Sequence, residues 1–199
     1  MFHVCPCILA GMFFFLATPN LASGDKSEGI SSSIRYLYII QMTHLDIGFT
    51  DPQNVVARKC KETIDDAIEL CYQDPDYKWT IETLWQWEQW WKRSSSAQRQ
   101  ELIQLIERGR IGLCAGYASM HSGFLGAEEI NRFLYPAKVA AGLCSTPPLE
   151  TIIQDDVPGY AWGLPSVLEK SHVKYMVTGI NTWIGGGTSI PRAENPFYW

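Results

Sequence analysis

The sequence lacks several features that would each point to a class of protein. It has no basic block, and 21 acidic against 16 basic residues give a net charge of −5, so we expect no nucleic-acid partner. Its six cysteines include no C-x-x-C pair, which argues against a zinc site made of thiolates. No long polar linker divides the 199 residues, which are enough for one domain or most of a larger one.

The N-terminal apolar run is too short for a comfortable membrane span. Residues 8–17 are uncharged and apolar, and small residues follow at Ala22, Ser23 and Gly24. No lysine or arginine precedes the run. We predict a secretory signal peptide over residues 1–24, a flexible polar leader over residues 25–33, and export of the mature chain; the alternative is a retained apolar segment.

The remaining sequence alternates between strand patterns and helix patterns. Predicted strands cover residues 34–40, 77–82, 111–117, 149–154 and 173–178. Predicted helices cover residues 51–73, 126–141 and 161–171, and a helical region over residues 84–108 is interrupted by the serines at positions 94–96, which can cap a second helix. This order predicts an α/β fold with a parallel sheet, either doubly wound or closed into a barrel. We interpret the cysteines at positions 60, 71, 114 and 144 as small buried apolar residues.

The most informative stretch is residues 43–50, which read THLDIGFT. It follows the predicted buried strand, and alternation along an extended chain points His44 and Asp46 to the same side. An imidazole and a carboxylate at the end of a buried strand provide half of a divalent-metal site. Gly48 allows a sharp turn, and Phe49 offers an aromatic wall. Alternatively, the histidine and the aspartate bond each other and cap the next helix.

Polar residues recur just after the predicted strands. They are His44, Asp46, Glu82, His121, Asp155, Asp156 and Asn181. Because active sites of α/β proteins are built at the C-terminal edge of the strands, this repetition indicates a site there. Glu82 and His121 are candidates for substrate contact, with structural hydrogen bonding as the alternative for each.

The pair Asp155 and Asp156 supplies the other half of the predicted metal site. Neighbouring strand residues point to opposite faces, so one of the two faces His44. We favour Asp156, which is nearer the turn forced by Pro158 and Gly159, and Asp155 is the alternative. A carboxylate that joins His44 and Asp46 leaves open coordination positions. Such a set suits a catalytic zinc or another first-row divalent ion.

Together these motifs resemble the N-terminal catalytic domain of glycoside hydrolase family 38, the α-mannosidases. The resemblance covers residues 34–199 and rests on the H-x-D-x-G-aromatic motif at residues 44–49, WTIETLW at 79–85, GRIGL at 109–113 and DVPGY at 156–160. It implies a seven-stranded parallel β/α barrel, of which about the first five strands are present. The domain is therefore expected to be truncated.

The resemblance also implies a function and roles for particular residues. The family members are zinc-dependent retaining enzymes, so the expected activity is cleavage of terminal α-mannosidic bonds in glycans. His44, Asp46 and Asp156 would be zinc ligands, and Asp156 would also be the nucleophile that forms a covalent glycosyl-aspartate. Phe49 would pack near the bound sugar. The acid/base residue and a fourth protein ligand are expected beyond residue 199.

Two other functions fit parts of this pattern. A metal-dependent polysaccharide deacetylase uses a related barrel and an Asp/His metal site. That family has an early aspartate pair and a later H-x-x-x-H, whereas here the pair is late and H-x-x-x-H is absent. The other possibility is an inactive truncated fragment that binds sugar or metal, since open sheet edges would leave the core incomplete.

Overall fold

Helices and short strands alternate along the part of the chain that this computed structural model describes, residues 38–44, 46–157 and 159–179. In chain order the elements are α1 (Gln53–Gln73), β1 (Trp79–Ile81), α2 (Leu84–Arg93), α3 (Ser96–Glu107), β2 (Ile111–Leu113), a 3-10 helix (Ser122–Phe124), α4 (Ala127–Arg132), α5 (Tyr135–Leu143), β3 (Thr151–Gln154), α6 (Leu164–Lys170) and β4 (Tyr175–Thr178). The predicted signal peptide, the leader and Asn181 lie outside the described residues.

The helix predictions are confirmed, with one difference. α2 and α3 each begin with a capping box, in which the side chains of residues three apart bond each other's backbone N–H. The helix predicted over residues 126–141 is two helices, and Pro136 lies in the first turn of α5, where its missing N–H needs no partner. None of the described helices combines the length and the apolar character needed to cross a bilayer.

The strands pair in parallel, as the sequence predicts. β1 pairs with β2 and β3 pairs with β4, which makes two small parallel sheets. Met42 adds a single parallel bridge to Thr80, and the amide of Ala115 donates to the carbonyl of Thr151 at 2.8 Å, between the end of β2 and the start of β3. A closed seven-stranded barrel is not confirmed by these two sheets and stays a prediction.

The prediction of a buried strand at residues 34–40 is wrong for the part that the structure describes. Tyr38 is 80% exposed and Ile40 is 47% exposed, and neither lies in a strand. Pairing with β1 begins only where the carbonyl of Gln41 accepts from the Thr80 amide at 2.8 Å. An apolar run is buried only where other elements cover it. Here the side chains at positions 38 and 40 line an open apolar cleft opposite β3 and β4.

Two apolar clusters lie on opposite sides of the strands. The larger one packs the strands against the helices and includes Ile152, whereas Ile153 belongs to a smaller inner cluster with Met42 and Cys114. Neighbouring residues of β4 divide in the same way, since Met176 packs against the larger cluster and Val177 against the smaller one. This alternation decides which side chains point inward at the strand ends.

The four cysteines at positions 60, 71, 114 and 144 are buried free thiols, which confirms their interpretation as apolar residues. Burial raises the pKa of Cys60 and of Cys114 to about 12, so these thiols stay protonated at neutral pH. Neither has the character of a nucleophile, because the thiolate is the reactive form.

Candidate active site

Four polar side chains form a layer next to the inner apolar cluster, at the C-terminal ends of the strands; this polar layer consists of His44, Asp46, Glu82 and Asp155. His44 comes two residues after Met42, and Asp155 comes two residues after Ile153. Because alternate residues of an extended chain share a face, the side chains of His44 and Asp155 point to the same side as those of Met42 and Ile153, but lie further toward the C-terminal ends of the strands. The layer therefore forms at the C-terminal edge of the strands, where the sequence predicts the site.

His44 is the centre of this layer. Its Nδ1 lies 2.9 Å from Oε1 of Glu82, which is a hydrogen bond, and 3.8 Å from Oδ2 of Asp155. Its Nε2 lies 3.8 Å from Oδ1 of Asp46, which is too far for a hydrogen bond. Three carboxyl groups thus surround one imidazole.

The electrostatics of the layer follow from this crowding. The hydrogen bond to Glu82, with the charges of Glu82, Asp155 and Asp46, raises the pKa of His44 to about 9, although burial acts in the opposite direction. Burial raises the pKa of Glu82 and of Asp155, because the charged carboxylate loses its hydration. With all groups ionised, the carboxylates outnumber the imidazolium. Such a site attracts cations.

The loop after β2 supports the layer from one side. The Ser119 hydroxyl donates to Oε1 of Glu82 at 3.3 Å. The side chain of Gln154, which is 2% exposed, donates to the carbonyl of Ala118 at 2.9 Å and accepts from the amide of Met120 at 3.0 Å. No sequence pattern predicted a role for Ser119 or Gln154. The available signal was the polar Gln154 directly after the two isoleucines of β3.

The two adjacent aspartates occupy different environments. Asp155 is 8% exposed and faces His44, whereas Asp156 is exposed and has a positive φ of 52°. The prediction that Asp156 faces His44 is wrong, since the structure places Asp155 there. Asp155 shares its face with the inward Ile153, while the left-handed backbone at Asp156 ends the alternation.

The remaining predicted site residues lie on exposed loops. Phe49 is 87% exposed and follows Gly48, whose φ of 89° makes the sharp turn that the sequence predicts. His121 is exposed, and its ring centroid lies 6.1 Å from that of Phe124. The structure therefore brings His44, Asp46, Glu82 and Asp155 together, and leaves Phe49 and His121 outside that cluster.

The donor atoms of the layer can be compared with the needs of a zinc ion. Zinc bonds to nitrogen and oxygen are each about 2.0–2.2 Å long, and tetrahedral coordination therefore sets two ligand atoms about 3.4 Å apart. Nε2 of His44 and Oδ1 of Asp46 are 3.8 Å apart, so a small approach of the two side chains would let both bind one ion. Within the described ranges, no three His, Cys, Asp or Glu side chains are arranged to hold a metal ion. The fit to zinc is thus limited to these two donor atoms.

The sequence matches a known family over most of its length. The family described as "Glycosyl hydrolases family 38 N-terminal domain" matches residues 35–199. No curated protein sequence matches the chain.

Solved structures have a similar fold. One is an α-mannosidase from Enterococcus faecalis V583, with a TM-score of 0.63 and 12% identity over 70% of this chain and 16% of that chain. Another is a protein of glycosyl hydrolase family 38 from Enterococcus faecalis, with a TM-score of 0.57 and 10% identity over 69% of this chain and 16% of that chain. The chain spans about a sixth of both.

The fold is shared more widely than the family. A 4-α-glucanotransferase from Thermococcus litoralis has a TM-score of 0.53 and 15% identity over 69% of this chain and 21% of that chain. At such low identities the structural likeness shows the fold alone.

Proposed function

We propose that this chain, which belongs to glycosyl hydrolase family 38 by its match over residues 35–199, is part of an enzyme that hydrolyses terminal α-mannosidic bonds in glycans. The observation that carries the proposal is His44 at the C-terminal strand edge, hydrogen-bonded to the buried Glu82 and facing Asp46. A histidine and carboxylates at this edge fit metal-assisted hydrolysis. The Enterococcus faecalis protein of similar fold is an α-mannosidase, which makes mannosides the first substrates to test.

The proposed cofactor is one zinc ion. Nε2 of His44 and the carboxylate of Asp46 would be two of its ligands, and the family resemblance makes Asp156 the third. When bound, the ion would supply Lewis-acid contact to hydroxyl groups of the sugar. The surplus of carboxylates around His44 supports this assignment, since it attracts a divalent cation.

The proposed nucleophile is Asp156. Its carboxylate attacks the anomeric carbon, the bond to the leaving oxygen breaks, and a general acid protonates that oxygen. Water then attacks the same carbon and releases the sugar with the original configuration. One feature of Asp156 supports the role: its side chain is exposed, so a substrate can reach it.

Two residues on the exposed loops are proposed to contact the sugar. Phe49 presents an aromatic face that is 87% exposed, and such faces stack on the apolar side of sugar rings. His121 would donate to sugar hydroxyls from the loop after β2.

Hydrolysis of an aryl α-mannoside tests the function. The assay uses the protein that contains this chain at its natural length, with the 199-residue chain in parallel. We expect turnover that a chelator abolishes and that added Zn²⁺ restores, because the ligand set favours zinc. The matching aryl α-glucoside is the control and should react far more slowly. Turnover that the chelator leaves unchanged, or equal rates on both sugars, would contradict the proposal.

A further inference from the structure

We infer that Glu82 is a positioning residue, whose buried carboxylate fixes the His44 ring with the proton on Nδ1 and with Nε2 directed toward the metal. The inference rests on the proposed function, because it presupposes a metal at His44. It gives Glu82 a different task from the substrate contact that the sequence suggests.

The tautomer follows from the chemistry of the partner. An ionised carboxylate can only accept hydrogen bonds, so the contact of 2.9 Å between Nδ1 of His44 and Oε1 of Glu82 requires a proton on Nδ1. Nε2 lies on the other side of the ring, 3.8 Å from Asp46, where it is free of a hydrogen bond to that residue. When a metal ion replaces the proton on Nε2, a histidine held in this way binds that ion through the Nε2 lone pair.

Glu82 is itself held by rigid structure. It directly follows β1, whose last residue, Ile81, packs in the larger core, and it precedes Thr83, the N-cap of α2. The hydroxyl of Ser119 donates to the same Oε1 at 3.3 Å. The carboxylate therefore has little freedom to leave the imidazole.

The first turn of α2 also holds the backbone beside His44. The side-chain amide of Gln86 donates to the carbonyl of Thr43 at 2.9 Å. Residues 82–86 thus fix both the chain just before His44 and the orientation of its ring. A carboxylate–histidine pair of this kind sets ring orientation and ligand basicity in metal sites.

Burial separates Glu82 from the carboxylates that a substrate can reach. Glu82 is 1% exposed, whereas the side chain of Asp46 is 39% exposed. A side chain without accessible surface cannot accept from a sugar hydroxyl unless the surrounding loops move. Its contacts with His44 and Ser119 already occupy Oε1.

Zinc titration of Glu82→Gln tests the inference. The amide keeps the size of the side chain, and its oxygen can still accept from Nδ1, but it loses the negative charge. We expect calorimetric titration with Zn²⁺ alone to give an affinity roughly 10–100-fold weaker than for the original chain. The matched control is Glu88→Gln in α2, where the carboxylate accepts from the Tyr117 hydroxyl at 3.0 Å away from the site. It should leave the affinity unchanged.

The tautomer supplies a second readout. In the metal-free original chain, at a pH well above the His44 pKa of about 9, ¹⁵N NMR should show the His44 proton on Nδ1, and Glu82→Gln should give a mixture of tautomers. Equal zinc affinity and an unchanged tautomer in Glu82→Gln would overturn the positioning role and leave the metal site in place. Absence of zinc binding by the original chain would overturn the metal site of the proposed function, and the positioning role with it.

If Glu82→Gln does not fold, a less disruptive substitution, Ser119→Ala, tests the same inference. Ser119→Ala removes the other hydrogen bond to Oε1 and keeps the carboxylate. We expect zinc affinity to fall roughly three- to tenfold, in line with the net contribution of one ordinary hydrogen bond. An unchanged zinc affinity in Ser119→Ala would count against the positioning role.

Discussion

Replacing Asp156 with asparagine should lower kcat for aryl α-mannoside hydrolysis by roughly 10⁴-fold or more, on the scale seen when a covalent nucleophile is removed. The amide has no charge and is a poor nucleophile, so the glycosyl-aspartate cannot form at a useful rate. The variant should keep its fold, because Asp156 is exposed and asparagine tolerates the left-handed backbone at this position. Stopped assays at saturating substrate, with circular dichroism as the check on folding, measure this effect.

Asp155→Asn is the matched comparison. It changes the neighbouring carboxylate, which lies 3.8 Å from Nδ1 of His44, by the same single atom. We expect a smaller loss of kcat, because Asp155 is buried and acts on His44 only through its charge. A fully active Asp156→Asn together with an inactive Asp155→Asn would assign the nucleophile to Asp155. Mass spectrometry of a trapped fluorosugar intermediate identifies the labelled residue directly.

Replacing His44 with alanine should weaken zinc binding more than Glu82→Gln does, by about 100-fold or more. The alanine variant loses a metal ligand, whereas Glu82→Gln changes only the hydrogen-bond partner that orients this ligand. The loss also leaves the buried Glu82 without its hydrogen bond to the imidazole and without that positive charge, so that only the Ser119 hydroxyl donates to its Oε1. Such an uncompensated charge is costly, and removal of one partner from a buried pair typically costs about 3–5 kcal/mol. We therefore expect a lower free energy of unfolding as well, measured by urea denaturation.

His172→Asn is the control for the loss of a histidine. His172 is exposed, follows α6, and has a φ of 64°, which asparagine accepts. Zinc affinity and stability should stay close to those of the original chain. Zinc content in His44→Ala equal to that of this control would mean that the metal binds elsewhere.

The sequence predicted the parallel α/β arrangement, because segments with a helical apolar period alternate with short apolar segments typical of buried strands. Gly109 closes α3 with a φ of 65°, as expected of a glycine at that position. The first predicted strand was wrong over residues 38–40. An apolar run shows only that a segment can be buried, and whether it is buried depends on which elements cover it.

The sequence also located the edge that carries the candidate site, but not which of two aspartates faces His44. That choice depends on which side of β3 is inward. Ile152 and Ile153 are both apolar, so β3 has no alternation of polar and apolar residues. The sequence therefore does not show which face of the strand carries Asp155 and which carries Asp156. The supporting bonds of Ser119 and Gln154 were equally hidden, because they join residues more than 30 positions apart.

The most direct test of the account is anomalous diffraction at the zinc absorption edge, from crystals of the protein grown with Zn²⁺. The account predicts a strong anomalous peak about 2.0–2.2 Å from Nε2 of His44 and from a carboxylate oxygen of Asp46, with the Nδ1 side of the ring still bonded to Glu82. An anomalous map without a peak at His44, or with the zinc bound to residues away from this strand edge, would contradict it.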